Sequence, residues 1–139
     1  MGASLKALGY DAAYRLRPGT PRPAPAWDDA VAWDGERLTT VRPVSLDVGA
    51  AGKGYLVDLL SAILLDAGHE RFTVDASGDI RQTGGPLRIA LEDPRDPARA
   101  IGVVTLEGGA LCSSASNRRA WGDGMHHVID PRRGCPRGP

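Results

Sequence analysis

At 139 residues the chain is long enough for one domain with a single hydrophobic core and too short for two. Its 17 Lys and Arg balance 17 Asp and Glu, which excludes a global field that would recruit nucleic acid or an anionic membrane surface. No apolar run approaches a membrane span, the N-terminus lacks a signal-peptide core, and 42% hydrophobic residues argue against disorder.

Eighteen glycines and 11 prolines make the chain turn-rich. The two cysteines, Cys112 and Cys135, form neither a disulfide framework nor a CxxC metal motif. Residues 2 to 10 read as the tail of a helix, with Leu5 and Leu8 on one side and Gly9 as terminator. Pro18, Pro21, Pro23 and Pro25 cannot join a regular ladder, so residues 17 to 26 are an extended connector. Asp34-Gly35 between the alternating runs 30–33 and 37–41 predicts a hairpin. Val44-Ser45-Leu46-Asp47 predicts a short strand leading into a glycine-rich turn, and a helix follows through Leu65. Tyr55, Leu56, Leu59, Leu60, Ile63, Leu64 and Ala67 recur at helical spacing, with Gly68 placed to end it.

Beyond the helix, residues 71–75 predict a strand and Ala76-Ser77-Gly78-Asp79-Ile80 a small-residue turn. Residues 87–91 alternate as a strand, 92–99 with Pro94 and Pro97 read as a loop, and 100–106 form a further strand closed by Gly108-Gly109. Residues 110–112 are a candidate last strand before the polar run 113–117. Strands outnumber helices and most connections are hairpin-like, so the class is α+β with a mainly antiparallel sheet.

The turn Gly49-Ala50-Ala51-Gly52-Lys53-Gly54 suits a phosphate: glycines admit close backbone approach, a helix start favours anions, and Lys53 adds a full positive charge. It matches neither the P-loop nor the dinucleotide fingerprint, so an ordinary turn with a solvated lysine stands beside that reading. Ser77-Gly78-Asp79 suits a ligand pocket or a plain turn; Ser113, Ser114 and Ser116 suit phosphate donors or a serine-rich loop. His126 and His127 are neighbours without Cys or Glu at ligand spacing, which speaks against zinc. A histidine ahead of an apolar pair and an Asp-Pro turn is either a general base or a merely hydrogen-bonded side chain. Trp27, Trp33 and Trp121 are too scattered for a nucleic-acid stacking platform.

Four segments taken in order carry a resemblance: Leu46-Asp47-Val48-Gly49-Ala50-Ala51-Gly52-Lys53-Gly54-Tyr55, Val74-Asp75-Ala76-Ser77-Gly78-Asp79-Ile80, Ala110-Leu111-Cys112-Ser113-Ser114 and His126-His127-Val128-Ile129-Asp130-Pro131. Together they resemble the motifs of the FAD:protein FMN transferases, the ApbE family: L-D-L-G-G-I-A-K-G-Y, V-N-A-G-G-D-I, A-x-S-T-S and H-I-I-D-P-x-T-G. The likeness runs from about Gly9 to Gly134, and its specificity lies in the order of the four. Ser77 stands in place of the first glycine of G-G-D, Asp75 in place of asparagine, and Arg133 in place of the threonine.

The resemblance implies a T-fold-like core, with one principal helix packed on the sheet, and magnesium-dependent transfer of FMN from FAD to a threonine or serine hydroxyl of an acceptor protein, with release of AMP. It implies FAD contacts at Asp47, Lys53 and Ile129, a flavin pocket at Ser77, Gly78 and Asp79, and phosphate contacts at Ser113 and Ser114. It gives the carbonyl of Ala50 to Mg²⁺ and makes His127 the base that deprotonates the acceptor, facing one cavity with Lys53. The family's side-chain magnesium ligands, an aspartate and a threonine four residues on, belong to a segment beyond H-I-I-D-P. Residues 1–139 are therefore expected to be a partial transferase domain, lacking family segments at both ends. A non-catalytic flavin-binding module is the alternative expectation. The partners expected are FAD and the acceptor, with no nucleic acid and no transmembrane segment, and the sequence assigns no compartment.

Overall fold

The computed structural model describes residues 2–136. In chain order its elements are α1 (Gly2–Ala7), β1 (Val31–Trp33), β2 (Leu38–Thr40), α2 (Gly49–Asp66), β3 (Phe72–Asp75), β4 (Asp79–Asp93), β5 (Asp96–Cys112), β6 (Ala120–Trp121), β7 (Met125–His126), β8 (Ile129–Asp130) and β9 (Cys135–Pro136). They form two units, one from residues up to Asp47 together with those from Ser116 onward, the other from Val48–Ala115. The class is α+β with antiparallel pairing throughout and one main helix, as expected. Among the described residues no helix is long and apolar enough to cross a membrane.

In the first unit α1 ends as its sequence predicts. Gly9 adopts φ +104°, and a Cβ there would lie 1.8 Å from the Arg17 carbonyl oxygen, so only glycine fits the close crossing. Leu5 and Leu8 then meet Trp121 and Ile129 in a small buried cluster, with Tyr10, Leu16 and Met125 packed against it. The Asp34-Gly35 hairpin forms as expected, pairing Val31 with Thr40 and Trp33 with Leu38. The Asp34 carboxylate accepts the backbone N–H groups of Glu36 and Arg37 and so closes the turn. Residues 17–26 carry no regular element, again as expected.

The predicted strand over 44–47 does not form. These residues follow Pro43 and find no pairing strand among the described residues, so they run without regular structure to the start of α2. The glycine-rich turn is corrected too. Gly49, Gly52 and Gly54 lie inside the first turns of α2 with no positive φ, so the helix absorbs the segment that composition assigns to a loop.

In the second unit β3, β4 and β5 form an antiparallel sheet in that order. The strand expected over 87–91 is the middle of the 15-residue β4, and those expected over 100–106 and 110–112 are parts of the 17-residue β5. The reason is a bulge. Register shifts between Gln82 and Pro86, and the buried Gln82 side chain fills the gap: its Nε2 donates to the carbonyls of Thr83 and Gly85 while its Oε1 accepts Gly108 N–H at 3.0 Å. Backbone groups stranded by the irregularity thereby keep partners, and the ribbon continues across Gly84-Gly85 and Gly108-Gly109. The loop predicted for 92–99 shrinks to Pro94 and Arg95, because the Asp93 carboxylate accepts Arg95 N–H and tightens the turn. Pro97 falls in a second irregularity on edge strand β5, where no ladder donor is required.

The face that α2 buries is not the predicted stripe. Val57 and Ser61, one turn apart, are buried, and Ser61 Oγ donates back to the Val57 carbonyl at 2.6 Å. Tyr55, Leu56, Leu59, Leu60 and Ile63 are exposed. Two ion pairs tie the helix to β4, Asp58 with Arg81 at 2.9 Å and Lys53 with Asp79 at 2.7 Å.

Candidate functional site

Lys53, Ser77, Gly78, Asp79 and Ser113 converge in the second unit. β3 ends at Asp75 and β4 begins at Asp79, leaving three residues to reverse the chain. Ser77 takes φ +59° and Gly78 φ +103°, the Asp75 carboxylate accepts Gly78 N–H at 3.3 Å, and Ala76 N–H donates to the Asp79 carbonyl. A Cβ on Gly78 would crowd the Ser113 carbonyl oxygen at 3.2 Å, while Ser113 N–H donates to the Gly78 carbonyl at 2.8 Å. The serine segment after β5 is therefore stitched to the turn after β3. Ser113 and Ser114 are both exposed there.

Lys53 reaches this turn from α2. Its Nζ donates to the Ser77 carbonyl at 2.9 Å and pairs with Asp79 Oδ2 at 2.7 Å, leaving one ammonium proton for another acceptor. The Asp79 carboxyl is held below the ordinary carboxylate range, first by the Lys53 bond and next by the thiol of Cys112. Cys112 stands directly opposite Asp79 in the β4–β5 register, and the same contact pushes its thiol up. Cys112 is thus a member of the cluster that its residue type did not reveal, since the signal lies in strand register. The arrangement offers an oriented ammonium, an ionised carboxylate, a thiol donor and exposed hydroxyls around one turn. These groups suit a polar, phosphate-bearing ligand.

Ala50 lies one turn before Lys53 on α2 and is exposed. Its carbonyl belongs to the helix ladder. Mg²⁺ ordinarily takes one or two carboxylates with phosphate and water. No group of three His, Cys, Asp or Glu able to hold a metal occurs among the described residues. These residues alone do not fit a magnesium site.

The other predicted residues belong to the first unit. Asp47 is exposed in the segment before α2. His127 stacks on Tyr10, with ring centroids 6.3 Å apart and planes at 29°. Ile129 is buried in the cluster with Leu5, Leu8 and Trp121. A cavity of about 480 Å³ in the same unit, lined by Ser4, Arg22, Trp27 and Arg42 among others, contains none of the predicted catalytic, flavin or metal residues.

Comparison with known proteins bears directly on these motifs. The ApbE family profile matches residues 10–138. The chain belongs to the ApbE family. Among its relatives, an FAD:protein FMN transferase of Klebsiella pneumoniae (strain 342) is 33% identical over 97 residues, covering 67% of this chain and 30% of that protein. One from Rhodobacter capsulatus is 36% identical over 110 residues, covering 70% of this chain and 21% of its own length. A third, from Vibrio cholerae serotype O1, is 30% identical over 100 residues, or 66% and 30% of the two lengths. The chain therefore spans between about a fifth and a third of the curated ApbE relatives it matches. No solved structure matches significantly.

Proposed function

We propose that this chain carries part of the machinery of an FAD:protein FMN transferase, moving FMN from FAD to a threonine or serine hydroxyl of an acceptor protein and releasing AMP. The observation that carries the reading is the Lys53 ammonium, held between the Ser77 carbonyl and Asp79 with one proton to spare, at a turn edged by the hydroxyls of Ser113 and Ser114. An ammonium so restrained meets a phosphate oxygen with little further loss of rotamer freedom. Asp79 limits its wandering, and the positive-φ turn at Ser77 and Gly78 brings the main chain close to whatever ligand sits there.

In the reaction the acceptor's hydroxyl oxygen attacks the phosphorus of the FMN half. The new P–O bond forms as the pyrophosphate bridge to the adenylate breaks, AMP leaves with that electron pair, and the hydroxyl proton passes to the imidazole of His127. Lys53 answers charge on the phosphate oxygens. A positioned base is worth about 10²–10⁴-fold. His127→Ala is expected to lower transfer by that order while FAD binding, followed by quenching of flavin fluorescence, stays within about twofold. The assay incubates the chain with FAD, Mg²⁺ and a threonine-bearing acceptor and looks for covalent flavin fluorescence on the acceptor. Equal transfer by His127→Ala and parent removes His127 from the mechanism, and binding without transfer by the parent points to a flavin-binding module.

A further inference from the structure

We propose that Tyr10 is a positioning residue for His127, a platform that holds the imidazole in one orientation toward the acceptor hydroxyl; the proposal rests on reading His127 as the base. Tyr10 has no place in the four motifs, and the sequence marks it only as the end of a helix tail. In the structure its ring stacks with both His127 and Trp121, at 6.3 and 5.8 Å between centroids and 29° between planes in each case. These separations fall within the range of attractive offset ring pairs. Tyr14 adds an edge-on contact at 5.6 Å and 74°.

The platform is itself pinned. Tyr10 N–H donates to the Leu5 carbonyl at 2.9 Å, and its phenol oxygen accepts Arg119 Nη1 at 2.9 Å. Trp121 Nε1–H donates to the carbonyl of the fully buried Leu8 at 2.9 Å, locking the second ring of the stack to the core. The loop after Tyr10 carries backbone strain: Tyr14 and Leu16 both adopt φ +51°, a region that bulky side chains avoid. Asp11 holds that loop by accepting Ala13 N–H and pairing with Arg15 at 2.6 Å. Strain retained by surrounding bonds is a mark of backbone fixed for a purpose beyond packing. The ring stacked on the candidate base is what this loop places.

Three variants of the full chain test the assignment. In the parent, the His127 Cδ2–H and Cε1–H resonances should lie upfield of those of the exposed His69, through the Tyr10 ring current. Tyr10→Phe keeps the ring and should keep both the shift and the transfer rate. Tyr10→Met fills similar volume without a ring; it should abolish the shift and lower kcat about 10–100-fold with KM for FAD within about twofold. On a His127→Ala background Tyr10→Met should cost nothing further. Unchanged His127 resonances in Tyr10→Met, equal losses in Tyr10→Phe and Tyr10→Met, or a full additional loss on the His127→Ala background would overturn the proposal. Should Tyr10→Met fail to fold, nuclear Overhauser contacts between the ring protons of Tyr10 and His127 in the parent decide the stack, and their absence overturns the proposal. Normal transfer by His127→Ala sinks the base reading instead, and the resonance shifts still decide the stack.

Discussion

Ser77 shows how one side chain trades stability against position. Its φ of +59° lies where a Cβ crowds the following carbonyl, and the ApbE motif it resembles has glycine there. Ser77→Gly removes that clash at some expense of chain entropy in the unfolded state, so it should stabilise the protein by roughly 0.5–1 kcal/mol, read as a rise in urea midpoint. A lower midpoint would mean that the serine side chain contributes more than its backbone strain costs. The Asp79–Cys112 contact makes a second prediction. With its thiol raised by the neighbouring carboxylate, Cys112 should react slowly with iodoacetamide near pH 8, because the reactive thiolate is scarce. Asp79→Asn removes the negative charge, so the thiol falls back toward its ordinary range and alkylation at that pH should quicken several-fold. Mass spectrometry of the Cys112 peptide measures both rates, and equal rates would mean that the carboxylate does not govern the thiol.

Among the elements, α2 holds the most informative conflict. A helix opening on Gly-Ala-Ala-Gly-Lys-Gly forgoes stability, since glycine in a helix interior is about 1 kcal/mol worse than alanine. Nothing lies within 4 Å of a Cβ built on Gly54, and its φ is not positive, so neither space nor backbone demands glycine there. Gly54→Ala should therefore raise stability by about 1 kcal/mol in thermal melts. If these glycines keep the helix start bare for a ligand, the same change should weaken FAD binding in a fluorescence titration. Stability gained with affinity untouched would leave Gly54 without a part in the site. The β4–β5 ribbon teaches the complementary lesson: Gly-Gly and Pro read as stops, yet one buried glutamine bridges the interruption by supplying its missing partners.

Across the whole molecule, unsatisfied apolar surface stands out. Tyr55 and Ile63 on α2 are 67% and 62% exposed, and Ile101 on edge strand β5 is 64% exposed. Large apolar patches and open strand edges promote association. The chain is expected to bind an environment-sensitive dye such as ANS and to scatter light increasingly with concentration. Leu59→Glu with Ile63→Glu, one turn apart on the exposed side of α2, should reduce both signals without lowering the melting temperature; unchanged signals would assign the association to another surface.

Local residue chemistry alone determined the Asp34-Gly35 hairpin, the Gly9 helix stop, the reach of α2 to its end near Gly68, strand β3 and the tight Ser77-Gly78 turn, because each depends on neighbours a few positions away. The order of four motifs likewise made the ApbE kinship readable before any fold was known. Tertiary structure decided the rest. Whether 44–47 becomes a strand depends on a partner, and which face of α2 is buried depends on what packs there rather than on the helix's own periodicity. That Lys53 meets Asp79, 26 positions away in the numbering, and that Trp121 locks onto Leu8 across 113 residues, follows only once the chain has closed on itself. Hydrogen bonds and ring contacts between distant residues leave no periodic trace in a sequence, so the cluster at Asp79 and the platform under His127 emerge only from the folded chain.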